Sequence, residues 1–249
     1  MKPQIALQLW SIKDACKENF YAALKQVKES GYDGVEFAGY YGKSAAEVKS
    51  YLDELNLKVA ASHLPYEALQ KDLEGTIVFE KGIGNKCLVV PGVSFRTLEE
   101  WRSFIDDMER IAKRLAQEGM ELYYHNHAHE FTEIPGQDIL DYMVNNSKHI
   151  NLEVDLYWLA CSEHDVLPWL EAHKDRVGLF HMKDMHGSSR KSTEVGSGIL
   201  PIKEYVQVAK QLALPWLIVE QEEFQLYQPL EATAICYRQL EAIVEEVYS

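Results

Sequence analysis

The chain repeats one change of pattern eight times. A short extended segment gives way to a helical one, at intervals of about 30 residues. The extended segments are residues 4–10, 34–37, 58–63, 87–90, 121–125, 152–155, 177–181 and 216–220. Helical periodicity fills the gaps. Phe20, Leu24 and Val27 share one face of segment 20–30, and Gly31 supplies its stop. Further helices are expected over 44–55, after Pro65, over 98–118 and 138–144, just before Val177, and over 201–212 and 230–247. The alternation predicts a single (β/α)₈ barrel, a TIM barrel, over residues 1–249. A doubly wound open sheet is the competing architecture, but it normally carries a Gly-rich turn after its first strand. Ser11-Ile12-Lys13-Asp14 stands there instead. One loop is long, residues 185–199 after the seventh strand, and loops of that length are usually functional or mobile.

Charge narrows the partners. There are 39 acidic against 25 basic residues, a formal net charge of −14. Phosphate backbones attract basic surfaces, so nucleic acid and anionic membranes are not expected partners. A small anionic ligand stays open, because one Lys or Arg suffices for it. The four cysteines, Cys16, Cys87, Cys161 and Cys236, form no CxxC pair and are expected to be reduced thiols. Residues 1–10 lack a signal-peptide layout and no apolar stretch is long enough to span a bilayer, so a cytoplasmic protein is expected. A homo-oligomer is compatible with all of this.

Ionisable residues fall at the ends of the extended segments. Glu36, His63, His125, Asp155, His181 and Glu220 end the second, third, fifth, sixth, seventh and eighth. In a (β/α)₈ barrel these ends open on one face, where active sites lie, so residues far apart in sequence converge there. His, Asp and Glu together suit a divalent ion. Side-chain alternation puts Leu179, His181 and Lys183 on one face, and Ile218 with Glu220. Glu220 ends the apolar run Trp216-Leu217-Ile218-Val219, where a carboxylate is costly without a cation or donor. Asp155 follows the same logic, although Glu153 shares its face. Taken singly, either carboxylate reads more simply as a helix cap or a lysine partner; four polar residues at consecutive strand ends favour a site.

The fifth segment runs into His125-Asn126-His127-Ala128-His129. His125, at the strand end, is the strongest candidate, His127 the next, and His129 belongs to the loop. Val195-Gly196-Ser197-Gly198-Ile199 is a weak signal for a phosphate cradle, since such a turn is more often permissive backbone. Trp10, Tyr40, Tyr41, Tyr157 and Trp158 either wall a sugar site or pack loops.

In these motifs the chain resembles the sugar phosphate isomerase/epimerase family, the xylose isomerase-like barrels. The resemblance runs nearly end to end, through Gly31-Tyr32-Asp33-Gly34-Val35-Glu36, Ser62-His63-Leu64-Pro65, Tyr124-His125-Asn126-His127, Leu152-Glu153-Val154-Asp155, His181-Met182-Lys183-Asp184 and Val219-Glu220. It implies one divalent metal ion (Mn²⁺, Zn²⁺, Co²⁺ or Mg²⁺) on Asp155, His181 and Glu220, with His125 where the family usually has a glutamate. It implies a carbohydrate substrate oriented by Glu36, His63, His127, Lys183 and Trp10, and an α-proton removed by Glu220 or His125 to give a metal-stabilised enediolate. Return of the proton makes an isomerase or epimerase; loss of a β-substituent makes a lyase or dehydratase of a keto-sugar, keto-inositol or keto-glycoside. An endonuclease of the related DNA-repair type is the remote alternative, disfavoured by the charge.

Overall fold

The computed structural model describes residues 1–249. Eight parallel strands close into a barrel: Gln4–Gln8, Gly34–Phe37, Lys58–His63, Cys87–Val90, Glu121–His125, Ile150–Asp155, Val177–Met182 and Trp216–Val219. Each pairs with its chain neighbours, and closure comes from the first against the last, Gln4 opposite Trp216 through Leu7 opposite Val219. Helices sheathe the outside. Leu98–Ala116 shows why they form: Thr97 and Glu100 make a reciprocal capping box, and Trp101, Phe104, Ile105, Met108, Ile111, Ala112 and Leu115 bury one face. Helix Ala45–Leu55 starts on the same device, Ser44 with Glu47. The four cysteines are free thiols. No helix is long and apolar enough to cross a membrane.

Several local features differ from the periodicity, among them the eighth strand, which ends at Val219 and leaves Glu220 just beyond it. The first strand stops at Gln8 rather than Trp10, because Gln8 Oε1 accepts from the Trp10 N–H at 2.9 Å and the chain turns into a 3₁₀ helix, Leu9–Ile12. The segment after Pro65 is two helices, Tyr66–Lys71 and Leu73–Ile83, the second capped by Asp72. The long loop contains a two-stranded antiparallel ribbon, Asp184–Met185 against Ser192–Thr193.

The barrel is filled by side chains. A small cluster, Ala6, Ala60, Ala61, Val89, Tyr123, Leu179 and Ile218, is separate from the large core between strands and helices. Alternation along each strand then aims the residue two positions on, Gln8, His63, His125, His181 and Glu220, into the next layer up. Alanines below leave room for polar chains above. The Ala6→Leu variant overfills this layer and is expected to cost about 1–3 kcal/mol. Urea unfolding should show a lowered midpoint at an unchanged m-value.

Candidate metal centre

Two strand irregularities shape the upper layer. The pairing register shifts between Val35 and Glu36 against the third strand, and between Leu152 and Glu153 against the seventh. Such bulges re-aim side chains, and both glutamates end fully buried inside the barrel. With them lie His63, His125, Asp155, His181, Lys183 and Glu220, none more than a tenth exposed at its side chain.

His125, Asp155, His181 and Glu220 form a quartet whose ligand atoms lie within 4.8 Å of one another. His125 Nε2 is 3.4 Å from Asp155 Oδ2, His181 Nδ1 is 3.8 Å from the same oxygen, and His181 Nδ1 is 3.1 Å from Glu220 Oε2. A tetrahedral ion with bonds of about 2.0–2.1 Å needs donor–donor edges of roughly 3.3 Å. Both nitrogens of His125 are buried without a hydrogen-bond partner, and Asp155 Oδ2 has only the Lys183 ammonium, 3.0 Å away. Buried polar atoms are normally satisfied, so these orphans fit an ion. Asp155 also caps helix Leu156–Cys161, accepting from the Trp158 N–H at 2.9 Å. It does so through Oδ1, which leaves Oδ2 to the site.

A second quartet, Glu36, His63, Glu153 and His181, lies on the other side of the His181 ring. It is tied by hydrogen bonds: His181 Nε2 meets Glu36 Oε2 at 2.7 Å, and His63 Nε2 meets Glu153 Oε2 at 2.7 Å. Gln8 Nε2 donates to the same Glu36 oxygen at 2.7 Å. A neutral imidazole carries one proton, so it ligates through one nitrogen and donates through the other. With Nε2–H given to Glu36, Nδ1 is left for an ion in the first quartet. Glu36 Oε1 and Glu153 Oε1 are buried without partners as well, so the two quartets are alternatives, and the hydrogen bonds that already occupy His63 Nε2 and His181 Nε2 favour the first.

The electrostatics agree with a missing positive charge. Burial, then the neighbouring Glu153, raises Glu36 to about 7. Burial likewise raises Glu153 to about 7, against the pull of His181. Burial favours neutral His181, but Glu153, Glu36 and Glu220 override it and hold the ring well above its usual value. Burial drives His125 well below, with the His181 charge adding to the effect. Asp155 and Glu220 are also pushed up by burial; Lys183, His181 and His125 together outweigh that and hold both below the usual carboxylate range.

Lys183 is fully buried, 3.0 Å from Asp155 Oδ2, 2.8 Å from Glu220 Oε2 and 3.5 Å from Glu222 Oε1. Burial disfavours its charge, but these carboxylates keep it an ammonium. It faces the rings of Tyr157 and Trp158 at 5.5 and 5.4 Å.

The other expected residues divide. Trp10, His63, His127, Tyr40 and Glu220 line a cavity of about 570 Å³ over the quartet, joined by Glu222. Tyr41 packs on Phe20 instead. His129, expected in the loop, opens the short helix His129–Thr132, its Nε2 2.8 Å from the Val93 carbonyl. The Gly196–Gly198 turn has no free N–H groups for a phosphate. Asp184 Oδ2 accepts from Gly196 and Gly198 at 2.9 and 3.0 Å, and Oδ1 from Leu200 at 3.0 Å. A Cβ on Gly198 would fall 2.2 Å from Asp184 Oδ1. Two residues escaped the sequence reading. Gln8 fixes Glu36, and Asn126 staples the fifth strand to the sixth, its Oδ1 accepting the Asp155 N–H at 2.9 Å. Both sit at or just beyond strand ends, the one signal that could have marked them.

Two outcomes follow from this geometry. Glu153 is raised from 4.5 to about 7, so as pH rises the unfolded chain gives up the proton first. The carboxyl therefore withdraws stability between about pH 4.5 and 7. In metal-free protein, the stability of the native sequence relative to Glu153→Gln should increase as pH is lowered through that window, read from paired unfolding curves. Asp184→Ala orphans the turn's N–H groups, at about 1–3 kcal/mol for a buried donor. Amide exchange across residues 194–200 should accelerate, and unchanged protection there would contradict the assigned role.

Sequence and structure comparisons now bear on this site. A family model described as xylose isomerase-like TIM barrel matches residues 24–236. An inosose dehydratase of Lacticaseibacillus casei is 24% identical over 246 residues, covering 82% of each chain. A sugar phosphate isomerase/epimerase structure from Parabacteroides distasonis superposes with a TM-score of 0.81 at 21% identity, over 98% of this chain and 96% of that one. An L-ribulose 3-epimerase superposes at 0.76 with 13% identity, over 99% and 96%. At these identities the structures share the fold. The matched span includes seven of the eight strands and every quartet residue, and the chain belongs to the xylose isomerase-like TIM-barrel family.

Proposed function

We propose that this protein enolises a keto-sugar or keto-polyol by removing the proton next to its carbonyl, with a divalent ion held by His125, Asp155, His181 and Glu220. The observation that carries the reading is the His/Asp/His/Glu quartet, with both nitrogens of His125 unpartnered, opening through Glu220 on the 570 Å³ cavity. When bound, the ion supplies Lewis acidity toward the substrate carbonyl oxygen. Two nitrogens with two carboxylate oxygens suit Mn²⁺, Co²⁺ or Zn²⁺ better than Mg²⁺.

The chain's own groups supply the rest. Glu220 meets His181 and Lys183 through Oε2, leaving Oε1 unengaged as the base. A placed base contributes about 10²–10⁴-fold. Glu36 fixes the tautomer of His181. His63 and His127 reach the cavity and orient substrate hydroxyls; Trp10 offers a face to the ring. Lys183, kept charged, holds Glu220 ionised as the base.

Of the possible outcomes we favour β-elimination, of water from a keto-polyol or of the attached sugar from a keto-glycoside. Symmetric epimerisation needs a base on each face of the substrate, and here a buried, neutral histidine stands at the fifth strand end, where the family this chain resembles usually has a glutamate. The proton that Glu220 takes from the α-carbon can return to the departing oxygen, with the Lys183 ammonium offsetting the charge beside it. The inosose dehydratase relatives support this branch. Epimerisation or isomerisation through the same enolisation is the second reading.

Elemental analysis of purified protein is expected to find about one divalent ion per chain, and incubation with keto-inositols and keto-sugars in D₂O to put deuterium at the α-carbon. Loss of a water mass identifies the dehydratase; an isomeric product at unchanged mass identifies the epimerase. No exchange with any ketone would refute the enolisation. His125→Ala should lose metal together with exchange. If it keeps the metal and loses exchange, His125 is the base, and if it keeps both, His125 has neither role.

A further inference from the structure

Next to the main cavity lies a second of about 520 Å³, and the two share Pro91 and His127 as a common wall. Its other sides come from the loop after the fourth strand, from Ala128 and His129, and from Trp158. It touches the quartet by two short covalent routes: His127 is two residues from His125, and Trp158 sits on the helical turn capped by Asp155.

The chamber is built rather than incidental. The Val93 N–H donates to the Tyr124 hydroxyl at 3.2 Å and the Val93 carbonyl meets His129 Nε2 at 2.8 Å. Ser94 Oγ donates to Glu133 Oε2 at 2.9 Å. Gly92, at φ +97, brings the loop against the imidazole: a Cβ there would lie 2.9 Å from His127 Nδ1. Two polar atoms of its walls, His127 Nδ1 and Trp158 Nε1, are buried with no hydrogen-bond partner. An unpaired imidazole nitrogen and indole N–H beside an aromatic face suit a ring bearing hydroxyls.

The chemistry is that of a neutral ligand. No lysine or arginine lines either cavity, while Glu220 and Glu222 line the first. The backbone N–H groups that could have received a phosphate beyond the seventh strand are filled by Asp184. A substrate anchored by a phosphate finds no counter-charge among the residues that line the two cavities.

We infer that the chamber between Pro91 and Trp158 is a second subsite, which binds the neutral sugar unit attached to the reacting ring, so that the substrate is an unphosphorylated glycoside. The inference rests on the enolisation reading for which ring reacts, but its test is one of binding. Metal-loaded protein is titrated calorimetrically with the 3-keto derivatives of glucose, cellobiose, maltose and trehalose, and of glucose 6-phosphate. At least one keto-disaccharide should bind about tenfold or more tightly than keto-glucose, with no gain from the phosphate. Ser94→Trp, at the exposed rim, should abolish that preference while keto-glucose affinity and thermal midpoint stay unchanged. Trp158→Phe, which keeps the ring and removes the N–H, should weaken only the disaccharide. Disaccharides that bind no better than keto-glucose, a preference that survives Ser94→Trp, or a tighter phosphate would each overturn the subsite. A disaccharide preference without deuterium exchange leaves the subsite standing and removes the enolisation.

Discussion

The upper layer of the barrel is organised around the two nitrogens of one histidine ring. His181 faces Glu220 with Nδ1 at 3.1 Å and Glu36 with Nε2 at 2.7 Å. Because a neutral imidazole holds a single proton, these sides have different jobs. The Glu36 side fixes the ring and its tautomer; the Glu220 side is left to accept an ion. Gln8 keeps Glu36 in place from the first strand, and alanines beneath provide the volume.

Burying Glu36, Glu153, Asp155 and Glu220 together opposes folding, since each charge leaves water for a low-dielectric interior. Lys183 and a protonated His181 offset part of this, and two glutamates respond by holding on to protons near neutral pH. A divalent ion in the quartet would complete the compensation and release His181 from carrying charge. The layer is thus tuned for binding at the expense of the metal-free fold, the usual place for a protein to break the rules of its own core.

The loops add selectivity by what they fill. Asp184 occupies the turn beyond the seventh strand, and Gly92 lets the loop after the fourth strand close on His127. What stays open above the quartet is a mouth lined by aromatic, imidazole and carboxylate groups, with Lys183 buried among carboxylates beside it and Lys13 stacked on Trp10 at its edge. Such a surface favours hydroxyls over phosphates.

Much of this was legible in the residues themselves. Period-two alternation and the recurring strand-to-helix change are local signals, and they specified eight strands and a barrel. The same alternation placed His125, Asp155, His181 and Glu220 at strand ends, and barrel geometry makes such ends converge. What could not be read were relations across the barrel. Glu36 meets His181 over a separation of 145 residues, and His63 meets Glu153 over 90. Both contacts depend on bulges that shift register at Glu36 and Glu153, which no periodicity announces. The Gly196–Gly198 turn looked able to hold a phosphate; only the folded loop brings Asp184 into it. Sequence by itself determined which residues point inward and at what level. The tertiary structure decided which atoms face each other, because hydrogen-bond distance and proton count are settled between strands and not along them.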